Sequence, residues 1–478
     1  MSDRVQVTAD EIRRALDEEE LRDWVQQQRW YASKARHVAG IDIVESITLR
    51  EDPLLLLALV QTRFATGTHE LYQLPLALRA PNGSPDIKRT GSPDIKRSES
   101  IAHTDDFTVY DALAEPTQAI ELLRRIETTD EITTADGQFS FHQFDGAEPR
   151  LNADSAVRLM GVEQSNSSVV FDDAIVLKVF RKLEPGVNPE LEVLRFLTWR
   201  GFPNIAPLHG WYDYDGLAFQ STLGVAQAFL PDAFGGWELA LDEIWSAPEM
   251  FLERLGSLGT VTAELHTCLA SDATDPAFSP EEPSMEALSL LTATIDEDIE
   301  RIFLCLPDDE RLAPIAGRGQ DVRERLAARA QIGVSGRVIR THGDYHLGQT
   351  LHTPRGWVII DFEGEPARPL TERRQKRSPL RDVASMLRSF AYVSSAVELL
   401  RNRRAPADFE QRAREKFLEH YFAAVDPALM PGGEAVINNL LSIYELEKAI
   451  YELRYELNNR PDWIPIPVAG IGRILEGA

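Results

Sequence analysis

Cysteine is scarce in this sequence, which has only Cys268 and Cys305 among 478 residues. Because the two are far apart and form no Cys-x-x-Cys spacing, neither a disulfide framework nor a cysteine-based zinc site is expected. Scarce cysteine fits a reducing compartment, so we expect a cytoplasmic protein.

Long apolar segments are also missing. The longest run, Pro53–Val60, is too short to cross a bilayer, and the N-terminal MSDRVQVTADEIRRAL is too polar for a secretory signal. We therefore expect no membrane association.

Basic residues are outnumbered by acidic ones, 50 against 76, which gives a net charge of −26. Such a surface repels nucleic acid and anionic lipid, so a nucleic-acid partner is not expected. It also repels ATP, so a nucleotide site would need local positive charge or a metal ion. The length and the 43% hydrophobic content predict two or three packed units.

Three regions are predicted along the chain, namely residues 1–107, 108–232 and 233–478. The first begins with a helical pattern and continues with strand-like runs, Leu54–Thr62 and His69–Leu76. Its segment Gly83–Arg97 contains GSPDIKR twice. Two polar copies are too few for a repeat architecture, so this segment is interpreted as an enlarged hairpin loop.

The middle region is predicted to mix helices and strands, and the last to be mostly helical with one strand–loop–strand passage, Val338–Asp361. The predicted middle elements are a helix Tyr110–Ile126, strands Gln138–Gln143, Val157–Glu163, Val169–Phe171 and Ala174–Phe180, and a helix Pro189–Arg200.

The strongest chemical signal is HGDYHLGQ at residues 342–349, followed by VIIDFEGE at residues 358–365. Phosphoryl transfer needs one carboxylate to orient and deprotonate the acceptor hydroxyl and another to hold Mg²⁺. Asp344 and Asp361 suit these two roles, and the amide oxygen of Gln349 suits a second metal ligand. A lone HGD is more often a turn, but the pair of carboxylates favours catalysis.

These motifs resemble the catalytic and metal loops of the aminoglycoside-phosphotransferase and choline-kinase-like superfamily, although Gln349 stands where asparagine is usual. The segments QQRWYASKAR, VEQSNSSVVFDD and YELEKAIYELRYELNNRPDWIPIP are similar to bacterial maltokinases. The resemblance implies an α+β, bilobal, protein-kinase-like fold with an N-terminal cap. It also implies ATP and Mg²⁺ as cofactors, Asp344 as catalytic base, and Gln349 and Asp361 as metal ligands. For Glu363, support of the metal loop and a structural hydrogen bond stay equally open.

The nucleotide site is predicted from a polar segment between two strands, where kinases place a phosphate-covering loop. It lacks the GxGxxG glycines, so serine and asparagine would meet the phosphates. Lys178 lies in an apolar strand, where burial requires an anion such as phosphate or Glu192, unless the lysine snorkels from an edge strand. The segment Val225–Leu230 resembles the connection between lobes. The expected nucleotide-binding residues are Gln164, Ser165, Asn166, Ser167, Ser168, Lys178, Glu192, Gln227 and Phe229.

The acceptor site is predicted on one helical face, because Lys448, Tyr451, Glu452 and Tyr455 recur at i, i+3, i+4 and i+7. Aromatic and charged groups suit a sugar, but periodicity alone equally allows a solvated, salt-bridged face. In maltokinases this helix lines the sugar pocket, so the resemblance favours binding. Asp344 and His346 are expected to contact the acceptor as well. Trp463 is either a pocket wall or a core residue.

Two further pairs are given structural roles. His342 and His346 lack a third and a fourth ligand at zinc-like spacing, so His342 is assigned to loop packing. Arg381 and Asp382 are interpreted as an ion pair that anchors the metal loop.

The resulting hypothesis is a maltokinase that converts ATP and maltose to ADP and maltose 1-phosphate in α-glucan or glycogen synthesis. A glucosamine kinase that forms glucosamine 6-phosphate is the alternative, with Glu452 pairing the amino group. An aminoglycoside phosphotransferase fits less well. So does a non-catalytic partner of a trehalose-processing enzyme, because Asp344, Asp361 and Lys178 are intact. A trehalose-processing enzyme stays open as a partner of this protein. The choice between a monomer and a homodimer stays open as well.

Overall fold

The structure, a computed structural model, describes residues 9–79, 100–148, 150–152, 154–161, 165–330 and 336–476. The duplicated GSPDIKR segment and Gln164 lie outside these residues. The chain forms two compact units, one from the N-terminal residues to Arg195 plus Ala206–Pro231, the other from Phe196–Ile205 plus the residues from Asp232 onward. The division into three regions stays a prediction.

Sixteen strands and thirteen α-helices are found within the described residues. The strands are β1 (Val38–Glu51), β2 (Leu54–Phe64), β3 (His69–Arg79), β4 (Ser100–His103), β5 (Thr108–Asp111), β6 (Glu131–Thr133), β7 (Gly137–Gln143), β8 (Val157–Leu159), β9 (Asn166–Phe171), β10 (Ile175–Phe180), β11 (Lys182–Leu183), β12 (Leu208–Gly216), β13 (Gln220–Ala228), β14 (Phe234–Gly235), β15 (Thr350–Thr353) and β16 (Gly356–Ile359). The helices are α1 (Ala9–Ala15), α2 (Glu18–Gln27), α3 (Ile120–Thr128), α4 (Pro189–Trp199), α5 (Gly236–Ser246), α6 (Pro248–Leu269), α7 (Met285–Leu304), α8 (Gly319–Arg329), α9 (Leu370–Arg373), α10 (Leu380–Arg401), α11 (Phe409–Ala424), α12 (Glu434–Asn459) and α13 (Pro465–Glu476).

The first unit begins with a six-stranded antiparallel sheet in the order β1-β2-β3-β5-β4, with β11 paired to β3. The strand β2 lies between β1 and β3, and its apolar run is buried almost without alternation, which is the pattern of a strand covered on both faces. Helix α2 buries Leu21, Trp24 and Val25, and its N-cap Asp17 accepts from two backbone N–H groups. This sheet extends beyond residue 107, because β5 belongs to it.

The second sheet of this unit has seven strands in the order β6-β7-β12-β13-β10-β9-β8. Every residue of β10 is buried, including Lys178. The predicted helix Tyr110–Ile126 is wrong at its start. Residues up to Asp111 belong to β5, two short 3₁₀ turns follow, and α3 begins only at Ile120. The side chain of Asp111 caps the first turn, and a proline starts the second.

Buried hydrogen bonds tie the two sheets of the first unit together. The Gln73 amide nitrogen donates to the carbonyl of Phe180 at 2.6 Å, and the Tyr212 hydroxyl donates to the Gln73 amide oxygen at 3.0 Å. Arg181, 2% exposed, donates to Asp111 at 2.7 Å and to Ser167 at 2.9 Å. The N-terminal sheet is therefore anchored to the strands that carry the predicted nucleotide residues.

The second unit is mostly helical, with one small antiparallel sheet, β14-β15-β16. The predicted strand before Asp361 is confirmed as β16, whereas the predicted first strand is reduced to single bridges, which Val338 makes to Glu281 and Ile339 makes to Arg377. The strand β15, which pairs with β16, lies between the two predicted strands and was not predicted. Helix α10 is long and apolar enough to cross a membrane by length and composition, but 67% of its most apolar window is buried. This burial is expected of a core helix in a globular unit.

Candidate active site

The loop that carries HGD is fixed from behind by α10. The Asp382 carboxylate accepts hydrogen bonds from the backbone N–H groups of His342 at 2.7 Å and Gly343 at 3.0 Å. The His342 imidazole, 2% exposed, lies 2.9 Å from the carbonyl oxygen of Ile360, which joins this loop to the next one. His342 thus occupies the loop-packing position predicted for it. These contacts determine where the following residue, Asp344, is presented.

The predicted ion pair between Arg381 and Asp382 is replaced by two separate sets of contacts. Asp382 turns toward the catalytic loop and toward His266, at 3.3 Å. Arg381 donates to Glu447 at 2.8 Å and lies 3.9 Å from Glu365 in the metal loop. Adjacent residues of a helix point in different directions, so neighbouring opposite charges need not pair with each other.

Replacing Asp382 with asparagine is expected to lower the free energy of unfolding by about 1–3 kcal/mol, because one backbone donor loses its charged acceptor inside the protein. Burial alone would raise the pKa of Asp382, but His266 and the backbone N–H of Gly343 outweigh it and lower that pKa. The stabilisation is therefore present above the unfolded carboxyl pKa and is lost as pH falls through the folded pKa. Denaturant unfolding should show a difference at neutral pH that shrinks in acid. An Asp296→Asn variant, which loses only a part-buried ion pair with Arg323, serves as control.

The carboxylate of Asp344 is held by Lys448, whose ammonium nitrogen lies 3.0 Å from Oδ1 and 3.1 Å from Oε1 of Glu365. Burial alone would lower the pKa of Lys448, but the two carboxylates outweigh it and raise that pKa. Burial opposes ionisation of Glu365 as well, yet Lys448, Arg381 and Arg368 lower its pKa to about 2. Lys448 and Glu365 thus stabilise each other's charge, and a lysine of α12 links the catalytic loop to the metal loop.

The metal loop follows β16, and Asp361 occupies a left-handed backbone conformation with φ of 64°. The Gln349 side-chain nitrogen donates to Oδ2 of Asp361 at 2.9 Å, and the Ile360 N–H donates to the Gln349 carbonyl at 3.1 Å. A carboxylate and a carboxamide are thus brought side by side. Both offer the oxygen ligands that Mg²⁺ prefers, so this donor set fits the ion.

A cavity of about 390 Å³ opens beside Asp344 in the second unit. All six residues predicted to bind the acceptor line it, namely Asp344, His346, Lys448, Tyr451, Glu452 and Tyr455, and so does Trp463. Sequence reasoning missed the wall from α10, formed by Ser385, Ser389 and Tyr392. Their i, i+4, i+7 spacing within an otherwise apolar helix was the signal available.

The cavity combines paired charges with aromatic rings. Glu452 accepts from Arg388 at 2.7 Å, and Glu456 accepts from Arg460 at 2.7 Å. Burial raises the pKa of Glu452 despite Arg388. The Trp463 ring lies 6.2 Å from that of Tyr392 and 6.4 Å from that of Trp237, between centroids. The carboxylates are therefore neutralised by partners, and the rings offer apolar faces.

The predicted phosphate-covering segment differs from the expectation. Asn166, Ser167 and Ser168 belong to β9, and Ser165 directly precedes this strand. Lys178 lies opposite Ser168 in the ladder. The difference arises because these three residues pair with β10 and so become part of the sheet.

The lysine of β10 has a carboxylate near it. The Lys178 ammonium lies 3.7 Å from Glu190 on α4, a residue that sequence reasoning did not select, and the predicted Glu192 is buried on the same helix. Gln227 pairs with Val176 in the sheet, and the N–H of Phe229 donates to the Ala174 carbonyl at 2.8 Å. These residues are therefore neighbours within the first unit.

Comparison with known proteins gives matches along most of the chain. Residues 24–114 match the maltokinase N-terminal cap domain, and residues 156–418 match the phosphotransferase enzyme family. A glucosamine kinase of Streptacidiphilus jiangxiensis is 26% identical over 349 residues, covering 70% of this chain and 76% of that protein. A glucosamine kinase of Mycolicibacterium smegmatis is 28% identical over 338 residues, covering 67% and 79%.

A solved structure of a glucosamine kinase in complex with glucosamine, ADP and inorganic phosphate matches with a TM-score of 0.70. It is 19% identical in sequence, and the match covers 98% of this chain and 100% of that one. These matches confirm the predicted α+β fold of the aminoglycoside-phosphotransferase type and its N-terminal cap domain.

Proposed function

This chain belongs to the phosphotransferase enzyme family and carries a maltokinase N-terminal cap domain, and from this premise we propose that it is an ATP-dependent sugar kinase with maltose as acceptor. One observation carries the proposal. The carboxylate of Asp344 lines a cavity whose other walls combine aromatic rings with paired charges. Such walls bind a sugar through its C–H faces and its hydroxyls.

The proposed reaction needs one proton transfer and one phosphoryl transfer. Asp344 orients the sugar hydroxyl and takes its proton as the oxygen bonds to the γ-phosphorus. The bond between that phosphorus and the bridging oxygen of ADP breaks, which gives ADP and a sugar phosphate. Asp361 and Gln349 would hold Mg²⁺, which neutralises phosphate charge when bound. Lys448 holds the Asp344 carboxylate in place through its contact with Oδ1.

Maltose is proposed because the cavity favours a neutral acceptor with more than one ring. Lys448 beside Asp344 would repel an ammonium group, whereas it does not repel an uncharged hydroxyl. Glu452 and Glu456 already have guanidinium partners. Aromatic rings are contributed by α12, by α10 and by the turn at Trp463, so the apolar walls are distributed around the cavity. The cap domain match supports the same acceptor. The enzyme would then act in α-glucan synthesis, in the cytoplasm.

Glucosamine is the second candidate, because the relatives from Streptacidiphilus jiangxiensis and Mycolicibacterium smegmatis are glucosamine kinases. Its amino group would approach Glu452, a buried carboxylate of the cavity that already accepts from Arg388. Turnover of ATP with maltose, glucosamine, glucose and kanamycin distinguishes the candidates. If Glu452→Gln lowers turnover of glucosamine but leaves that of maltose, the amino sugar uses this carboxylate. If no acceptor stimulates ADP release, the kinase proposal is wrong.

Replacing Trp463 with alanine is expected to raise KM for maltose about tenfold, since an aromatic contact contributes roughly 0.5–1.5 kcal/mol. KM for ATP should stay within about twofold, because Trp463 lines the cavity in which the sugar is proposed to bind. Initial rates with each substrate varied in turn measure both constants. The exposed Trp199 provides a matched tryptophan-to-alanine control in the same unit. An unchanged KM for maltose would contradict the assignment of this wall.

A further inference from the structure

A second, smaller cavity of about 80 Å³ lies in the helical unit, and no residue of the acceptor cavity lines it. Its polar lining comes from the segment between the metal loop and α10, and from α12. These polar residues are Lys376, Arg377, Ser378, Arg381 and Tyr444. Apolar side chains at the start of α7 form the opposite wall. A water needs about 10–15 Å³, so the cavity has room for a small polyatomic group.

Three of these side chains are cationic, and one is incompletely satisfied. Nε of Arg377 is buried and has no hydrogen-bond partner among the described residues, while its Nη2 donates to Gln375 at 2.6 Å. Burial, together with the like charges of Arg381 and Arg368, lowers the pKa of Arg377. A buried guanidinium N–H that lacks an acceptor among the described residues is available to a group bound beside it.

The other two cations, Lys376 and Arg381, have protein carboxylates as partners. An anion that enters the cavity would take the place of such a carboxylate. Lys376 pairs with Glu281, whose side chain is 58% exposed, and donates to the Pro276 carbonyl at 2.7 Å. Arg381 is bound by Glu447 at 2.8 Å. Arg377 therefore lines the cavity and has one buried N–H without an acceptor among the described residues. Because the Glu281 side chain is exposed, it can turn into solvent when another anion replaces it.

We propose that this cavity is a binding site for a tetrahedral oxyanion, namely a phosphate group, either as inorganic phosphate or as the phosphate of a small phosphorylated metabolite. A guanidinium presents parallel N–H donors that match phosphate oxygens, and Lys376 and the Ser378 hydroxyl lie in the same lining. The net charge of −26 makes such a cationic lining distinctive on this protein.

The site lies directly behind the catalytic machinery. The backbone of Arg377 pairs with that of Ile339 at 2.8 and 2.9 Å, and three residues later the chain reaches His342. Arg381 precedes Asp382, which holds the catalytic loop, and its partner Glu447 precedes Lys448, which holds Asp344. An anion bound here would contact the segment that positions both loops.

Isothermal titration of inorganic phosphate into the full chain tests the proposal, with ADP present to fill the nucleotide site. Arg377→Gln is expected to weaken phosphate binding at least tenfold, because it removes the buried charged donor. Arg404→Gln, at a residue whose side chain is 87% exposed, should leave the affinity unchanged. If Arg377→Gln binds phosphate as the unaltered protein does, the proposal is overturned.

Glu281→Gln supplies an independent test that does not depend on the folding of an arginine variant. Removing this exposed carboxylate frees Lys376, so phosphate should bind about threefold more tightly. An unchanged or weaker affinity would contradict the proposal.

Titrations with glucose 6-phosphate, sulfate and acetate distinguish a phosphorylated metabolite from the free anion as ligand. Tighter binding of the sugar phosphate than of phosphate indicates a metabolite, and equal binding of phosphate and sulfate indicates the free anion. Binding of acetate as tight as that of phosphate would overturn the assignment to a tetrahedral group.

Discussion

Replacing Asp344 with asparagine is expected to lower kcat by about 10²–10⁴-fold, the usual contribution of a positioned general base. The variant keeps an oxygen that accepts from Lys448, and Glu365 still accepts from the same ammonium, so the fold should be retained. ADP release under saturating ATP and maltose measures the loss. The thermal unfolding midpoint shows whether the loss is chemical or structural.

A matched control for this experiment is Asp296→Asn. It also removes one carboxylate from an ion pair in the second unit, but it lies on α7 and outside the acceptor cavity. Its kcat should stay within about twofold of the unaltered protein. If Asp344→Asn retained more than about a tenth of the activity, Asp344 would be a positioning residue and the base would have to be sought elsewhere.

The second large effect is expected at the metal loop. Asp361→Asn should lower kcat/KM for ATP by roughly 10²–10³-fold, as for other single groups that stabilise transition-state charge. Asparagine tolerates the left-handed conformation that Asp361 occupies, so the substitution changes charge with little backbone strain. Activity titrated with Mg²⁺ should show a much higher concentration for half-activation.

Gln349→Asn makes the metal assignment more specific. It restores the amide that the superfamily usually has and keeps an oxygen ligand, so activity should stay within about tenfold. Gln349→Leu removes that oxygen while keeping a similar size, and it should raise the Mg²⁺ requirement. If both variants and Asp361→Asn showed the unaltered Mg²⁺ dependence, the hydrogen bond between Gln349 and Asp361 would be purely structural.

Local patterns predicted the helical face of α12 and the strand passage before Asp361 well, because both depend on periodicity within one element. The cavity wall from α10 could not be obtained this way. Its side chains reach the acceptor cavity only because α10 packs against α12, and that packing brings together residues distant in sequence. Lys448 shows the same limit, since the sequence placed it on the helix but did not indicate that it bridges Asp344 and Glu365.

Errors in the prediction have similar physical origins. The helix predicted from Tyr110 was too long, because its first residues belong to β5, which lies between β3 and β4 in a sheet. Asn166, Ser167 and Ser168 were interpreted as part of a connection, but ladder pairing with β10 makes them part of a strand. Glu190 was overlooked beside Glu192, because helix phase relative to β10 depends on tertiary packing.

The placement of Lys448 on the acceptor helix has a consequence for how such an enzyme can change its substrate. Tyr451 and Tyr455 line the acceptor cavity, so substitutions there change the surface that the acceptor meets. Lys448 lines the same cavity but also holds Asp344 and Glu365, so its substitution would disturb both loops. An engineer who wishes to redirect this kinase should therefore randomise the helix around the lysine and leave the lysine itself in place.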